Sequence, residues 1–211
     1  MKRIYKLFTV AILSLVLLIP ELKGQGDVEL TAFGGYMFGG KLRFYEGELK
    51  IKDNPDFGGA INFLVARDTR LEVTWSQMNT TASFVPYRGF EELPDGSFDA
   101  NVGYILAGTI REIPLDNEVV VPYGGAMLGA AYFSPKNIGY NQTWKFAGSL
   151  AGGLKLRFSD AVALRLQGRF LFPFFWGGAG FTIGTGGAGI SVGASTSMLQ
   201  GDLTGGLVFS F

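Results

Sequence analysis

The sequence predicts an all-β fold: an eight-stranded antiparallel up-and-down β-barrel that spans a membrane, preceded by an export segment. Three observations predict it. A period of two in hydrophobicity recurs from about residue 28 to the last residue, and no convincing 3.6-residue apolar stripe follows the first 24. The alternating runs span about 12–19 residues, against roughly 5–6 for strands of soluble proteins. Connections alternate in length, with short turns at 67–69, 112–118 and 159–161 and mostly longer loops at 86–95, 134–142 and 174–197. A water-soluble sandwich would explain the alternation equally well, burying the apolar face and wetting the polar one. Run length separates the two, because a bilayer-crossing strand needs about 9–11 residues within the apolar band alone.

Composition narrows the chemistry. Of 211 residues, 47% are hydrophobic and only 17% charged, and there are 32 glycines, no cysteine and no histidine. A charged fraction below the usual ~25% argues against disorder and against an ordinary water-facing surface. Without cysteine there is no disulfide, thiol nucleophile or thiolate metal site. Without histidine there is no Ser-His relay and no imidazole ligand. No cofactor site, no catalytic set and no metal site is read from what remains.

Lys2, Arg3 and Lys6 precede an apolar run from Leu7 to Ile19 that ends at Pro20. Such a run is too short to cross a hydrocarbon core of roughly 30 Å as a helix. A basic start, a short apolar middle and small residues afterwards read as a secretory signal over residues 1–24, cleaved after Gly24 or Gly26. Residues 25–211 are then the barrel domain. Removing 1–24 takes four of 18 basic and one of 18 acidic residues, leaving 14 and 17, a net charge of −3. Nothing there resembles a nucleic-acid footprint.

Eight apolar sets follow in order. Val28, Leu30, Ala32, Tyr36 and Phe38 open the first, which Leu42 and Phe44 continue; Leu49, Ile51, Phe57, Ile61, Phe63 and Val65 form the second. Leu71, Val73 and Trp75 form the third, and Val102, Tyr104, Leu106 and Ile110 the fourth. Val121, Tyr123 and Met127 belong to the fifth, leaving Gly124, Ala126, Leu128 and Ala130 for the lumen. Trp144 to Phe158, Val162 to Phe172 and Leu203 to Phe211 supply the last three. These sets are assigned to a lipid-facing band rather than to a core. An even strand number returns both termini to one side.

The segments "AVALRLQGRFLFP", "VVVPYGGAMLGAAYF" and the ending "GDLTGGLVFSF" resemble the later strands of small Gram-negative outer-membrane barrels, the porin-like, OmpA/OmpX/OmpW-type proteins. The resemblance implies an outer-membrane location with both termini periplasmic. It also implies that Phe209 and the terminal Phe211 form the signal read by the barrel-assembly machinery. It carries no single activity, because the fold hosts adhesins, anchors, small pores and enzymes.

The first hairpin offers a register. A two-residue turn at Glu46-Gly47 keeps both apolar sets in phase and pairs Leu30 with Phe63, Gly34 with Gly59, Tyr36 with Phe57 and Leu42 with Ile51. Pro55 must interrupt the ladder, near Gly39 and Gly40 as a bulge. The inner face would then carry Lys41, Arg43, Lys50 and Lys52, with Arg43 opposite Lys50 and Lys41 opposite Lys52. Opposed like charges need neutralising, which suggests a basic mouth for lipopolysaccharide phosphates or an anionic solute. The plainer alternative is a solvated rim balanced by Glu46, Glu48, Glu91 and Glu92.

Lower in the lumen the charges read as structural. Arg169 and Asp202 lie at matching heights on the seventh and eighth strands, and the turn at 159–161 sets Lys155 opposite Arg165. Glu29, Glu72 and Asp202 are left to balance these cations together with Arg157. An eight-stranded interior is just wide enough for side chains or one small ligand. The apolar, glycine-rich stretch 173–198 follows an aromatic cluster, Phe172, Phe174, Phe175 and Trp176, suited to a membrane interface. It fits a short hairpin around 185–187 and a plug, a lid or an interface within a larger outer-membrane complex. Three function classes stand: a non-enzymatic barrel with a structural, adhesive or subunit role, which is favoured; a narrow passive channel for small or hydrophobic solutes; and a lipid-modifying enzyme, which the missing histidine disfavours.

Overall fold

A computed structural model describes residues 28–43, 47–86, 88, 96–115, 119–136, 142–184, 187–195 and 198–211. The expected signal segment lies outside them. The described residues form eleven strands, in order: β1 (Val28–Phe38), β2 (Lys41–Arg43), β3 (Gly47–Ile51), β4 (Asn54–Ala66), β5 (Thr69–Pro86), β6 (Gly96–Glu112), β7 (Val120–Pro135), β8 (Thr143–Arg157), β9 (Val162–Gly184), β10 (Gly187–Ser195) and β11 (Gln200–Ser210). Every neighbouring pair is antiparallel, and contacts between β1 and β11 and between β5 and β6 close the sheet. With β1–β2 and β3–β4 each counted as one interrupted strand, the barrel has eight staves.

One end gathers the short connections. Phe211 N–H donates to Val28 O at 2.9 Å, Ser210 N–H to Ala161 O at 2.9 Å, Arg157 N–H to Val119 O at 2.8 Å and Glu112 N–H to Asp68 O at 2.8 Å. Both described ends of the chain therefore sit with the turns, at what is termed the lower end below.

The outer wall is apolar. Leu30, Ile61, Val73, Leu150, Leu166, Leu203 and Leu207 are exposed along it. Aromatic rings bound this band: Tyr36, Phe38, Phe57, Trp75, Trp144 and Phe146 above, and Phe158, Phe209 and Phe211 below. Phe146 and Phe158 stand twelve residues apart, about 40 Å along the strand and roughly 30 Å along the axis at a tilt of about 40°. An apolar belt of that height between aromatic girdles matches a bilayer and would be untenable in water.

Three sequence expectations need correction. The first hairpin is shifted by two residues: Leu30 pairs Ile61, Gly34 pairs Phe57 and Tyr36 pairs Pro55. A two-residue shift preserves which face each side chain takes, so alternation cannot detect it. Gly47 belongs to β3 opposite Pro86 rather than to the turn, and Glu46 lies outside the described residues.

The interruption, secondly, is not at Pro55 but at Lys52–Asp53 opposite Gly39–Gly40, where Gly39 N–H donates to Asp53 Oδ1 at 2.7 Å and Ile51 N–H to Gly40 O at 2.8 Å. It inverts the faces. Below it Met37 and Asp56 are buried, whereas above it Ile51 is buried and Lys50 exposed.

The third correction concerns β6 and β7. Val102, Tyr104, Leu106 and Ile110 are at most 1% exposed, and Val121, Tyr123 and Met127 join them inside. Leu128, assigned to the lumen from sequence, is 60% exposed on the outer wall. Both faces of these strands are poor in charge, so polarity gave no sign of which one turned inward.

Candidate functional site

Among the described residues the wall encloses one lumen, and its filling changes with height. At the lower end, Glu29 on β1, Arg70 on β5, Glu112 on β6 and Lys155 and Arg157 on β8 meet. Lys155 Nζ donates to both oxygens of Glu29 at 2.9 Å and also to Glu112. Arg70 Nε donates to Glu112 at 3.2 Å and its Nη2 stands 3.3 Å from Glu29, while Arg157 Nη2 donates to Glu112 at 3.1 Å. Arg157 is the rim member, its side chain 42% exposed.

Two arginine stacks stand above this knot. Arg165 Nη1 donates to Glu72 at 2.5 Å and its Nε to the Tyr123 hydroxyl at 2.8 Å, with the guanidinium 4.7 Å from the Tyr123 ring centre. Arg169 Nε donates to both Asp202 oxygens at 3.0 and 2.9 Å, lies 5.2 Å from the Phe33 ring centre and has Asp56 at 3.9 Å. Each ring needs a glycine. A Cβ on Gly153, opposite Tyr123, would lie 2.7 Å from its hydroxyl, and one on Gly58, opposite Phe33, 2.6 Å from its ring. Asn62, fully buried, donates to Glu29 at 3.4 Å or, with its amide turned, to Glu72 at 2.8 Å, joining the knot to the first stack.

The register sets Lys155 opposite Arg165 and Arg169 opposite Asp202. All seven charged residues singled out from sequence for the lumen therefore meet there: Glu29, Glu72, Lys155, Arg157, Arg165, Arg169 and Asp202. Sequence reasoning missed Arg70, Glu112 and Asp56. Parity was the available signal for Arg70 and Asp56, which fall on the polar sets of β5 and β4, whereas Glu112 shares its face of β6 with Val102, Tyr104, Leu106 and Ile110 and had no such signal. With them the lumen holds five carboxylates against five cations among the described residues. Such pairing is what allows charges to stay ionised when buried, and Asp56 is the member it serves least, its two buried oxygens making no hydrogen bond. The hydroxyls of Thr31, Ser76 and Ser149 face the same space with no protein partner, which leaves water to satisfy them.

Higher up, the lumen turns apolar. Met37, Met78, Val102, Leu171 and Met198 are buried together, and Tyr104 crosses the floor of this cluster to donate its hydroxyl proton to Gln200. Among the described residues no cluster of three carboxylates or other metal-ligating side chains stands ready for a cation.

The basic mouth does not form as expected. Lys41 pairs Lys50 and Arg43 pairs Glu48 in the backbone ladder. Lys41 and Lys50 are exposed and share Glu48 at 3.8 and 3.7 Å, on the side opposite the buried Ile51. Lys52 is exposed within the break itself. The face inversion sends these cations outward, away from the lumen. Glu91 and Glu92 lie outside the described residues. Phe209 and Phe211 are exposed on the lower outer rim. In the stretch 173–198, β9 runs on to Gly184 and pairs β10, the expected hairpin, and among described residues β10 pairs only β9.

No protein-family model matches the chain, and no curated protein sequence does either. Solved structures do match in shape. Neisserial surface protein A aligns over 89% of this chain and 99% of its own at 18% identity, with a TM-score of 0.53. The outer membrane protein OprG from Pseudomonas aeruginosa aligns over 90% and 99% at 12% identity, with a TM-score of 0.54. The chain has the fold of small outer-membrane β-barrels.

Proposed function

We propose that this chain is a plugged, non-enzymatic barrel of a Gram-negative outer membrane, with both termini periplasmic, acting through what it presents at its upper end. The carrying observation is the lumen: an ion-pair knot, two arginine stacks and an apolar cluster fill successive levels of one narrow interior. The gathering of the short turns with Val28 and Phe211 supports the periplasmic placement. On this reading Phe209 and Phe211 are offered to the assembly machinery. Lys41, Lys50 and Lys52, above the upper girdle, meet lipopolysaccharide phosphates from outside the barrel. The β9–β10 hairpin is the contact to a partner in a larger outer-membrane complex. The complete lack of histidine and cysteine supports the non-enzymatic role.

A narrow channel is the second reading, favoured by the lumen hydroxyls that need water. Planar-bilayer recording of the purified barrel separates the two. Bilayers that stay closed are expected, and the Glu29→Gln/Lys155→Met variant should open them by loosening the knot. Discrete conductance steps from the unmodified protein would replace the plug with the channel.

A further inference from the structure

Above the apolar cluster the interior widens into a cup that the plug does not use. It is a cavity of 320 Å³ between β3, β5, β6, β7 and β8. Leu49, Ile51, Ala82, Val102, Phe98 and Phe133 make most of its wall, and Lys145 is the one charged side chain among the lining residues. Ile51 and Val102 also belong to the buried apolar cluster, so the floor of the cup is dry core rather than ion pairs. Thr80 adds little polarity, because its hydroxyl already donates to Lys52 O at 2.5 Å. A water-facing rim should be polar, and an apolar concavity there is a recognised mark of binding. Ligand pockets start at roughly 300 Å³ and are mostly apolar with a few placed polar groups.

We propose that the cup binds a single aliphatic chain with an anionic head, a medium-chain carboxylate, its tail on the Ile51–Val102 floor and its head at Lys145. The register agrees: Lys145 shares the inward parity of buried Ala147 and Ser149 on β8, whereas Lys52 and Lys136, each next in sequence to a cup residue, take the opposite face. An alkyl chain alone would fit the wall, but the lysine selects a carboxylate through a charge-assisted hydrogen bond.

The test uses the full barrel in lipid nanodiscs, with radiolabelled decanoate in equilibrium dialysis against empty nanodiscs as blank. Saturable binding above the blank is expected. Ala100→Trp, which fills the cup, should abolish it. Ala82→Phe is the second filling variant should the first fail to fold, and heat-modifiable gel mobility reports folding for both. Lys145→Gln should weaken decanoate about tenfold and leave decanol unchanged. The proposal is overturned if the wild type shows no saturable binding, or if a folded filling variant binds like wild type. It also falls if Lys145→Gln affects decanoate and decanol alike. Binding that emerges only after residues 89–95 are replaced by a Gly-Ser linker overturns it too, by assigning the cup to the chain's own loop. Bilayer conductance is unaffected by every outcome, so the plug stands or falls separately.

Discussion

At the lower end of the lumen Lys155 is held between Glu29 and Glu112, while a few residues higher Met78, Val102 and Leu171 pack as apolar filling. Both fillings are fully buried, yet they resist change for different reasons. The knot and the stacks gain little net energy over an apolar substitute, because desolvation offsets most of the Coulombic attraction. Their strength is conditional: each charge is tolerable only while its partner stays. The apolar cluster has no such condition, and its cost on truncation is set by lost contact and cavity volume. The charged levels thus specify one arrangement of strands, and the apolar level contributes stability more directly.

The largest effect should come from breaking a pair on one side only. Glu72→Leu leaves Arg165 buried beside Tyr123 with no carboxylate, and should destabilise by about 3–5 kcal/mol, read from urea unfolding in lipid vesicles. Adding Arg165→Met should restore most of that loss. If Glu72→Leu alone costs less than about 1 kcal/mol, water already solvates the guanidinium and the two levels do not differ as argued.

Leu106→Ala tests the other side. Leu106 is 1% exposed on β6, and its truncation should cost about 2–5 kcal/mol with no second change able to rescue it by pairing. Leu106→Met should cost less than about 1.5 kcal/mol. The contrast lies in the rescue rather than in the size of the loss.

Legibility in the sequence divides along the same line. The charged levels could be read because Arg165, Gln167 and Arg169 alternate with leucine and phenylalanine, so parity named the inward face and the strand number. Tyr104 and Met127 could not be read, since their strands carry apolar or small residues on both faces and the period of two survives either assignment. The hairpin register failed for a related reason, a two-residue slip being invisible to alternation. The outward turn of Lys41 and Lys50 depended on the break at Gly39–Gly40 and Lys52–Asp53, whose inversion arises from backbone hydrogen bonds that leave no mark in hydropathy.

The glycines under the stacks sharpen the comparison at smaller scale. On Gly153 a Cβ would lie 2.0 Å from Leu166 O as well as against Tyr123, and neither the neighbouring strand nor the ring can retreat freely. Gly153→Ala should therefore cost about 1–3 kcal/mol, and displacement of the Tyr123 ring should appear as a changed environment in aromatic NMR. At Gly152, one residue away on the outer wall, the nearest atom to a Cβ is Tyr123 O at 3.8 Å. Gly152→Ala should be close to neutral, and equal losses at both sites would mean that strand propensity, not the stack, selects these glycines.

The smallest effect belongs to the upper hairpin. Lys41 and Lys50 reach Glu48 across 3.8 and 3.7 Å with at least half of each lysine side chain in solvent. Screening and the entropy of holding two long side chains leave such pairs worth about 0–1 kcal/mol. Lys41→Ala should shift unfolding by no more than about 0.5 kcal/mol, and high salt should erase even that. The same ion pair geometry inside the lumen is expected to matter several times more, because there the charges have no solvent to return to. A loss at Lys41 comparable to that of Glu72→Leu would mean that the hairpin folds back over the mouth and is buried. A negligible loss, combined with weaker binding of lipopolysaccharide vesicles by Lys41→Ala/Lys50→Ala, would tie these cations to an external anion rather than to the stability of the barrel.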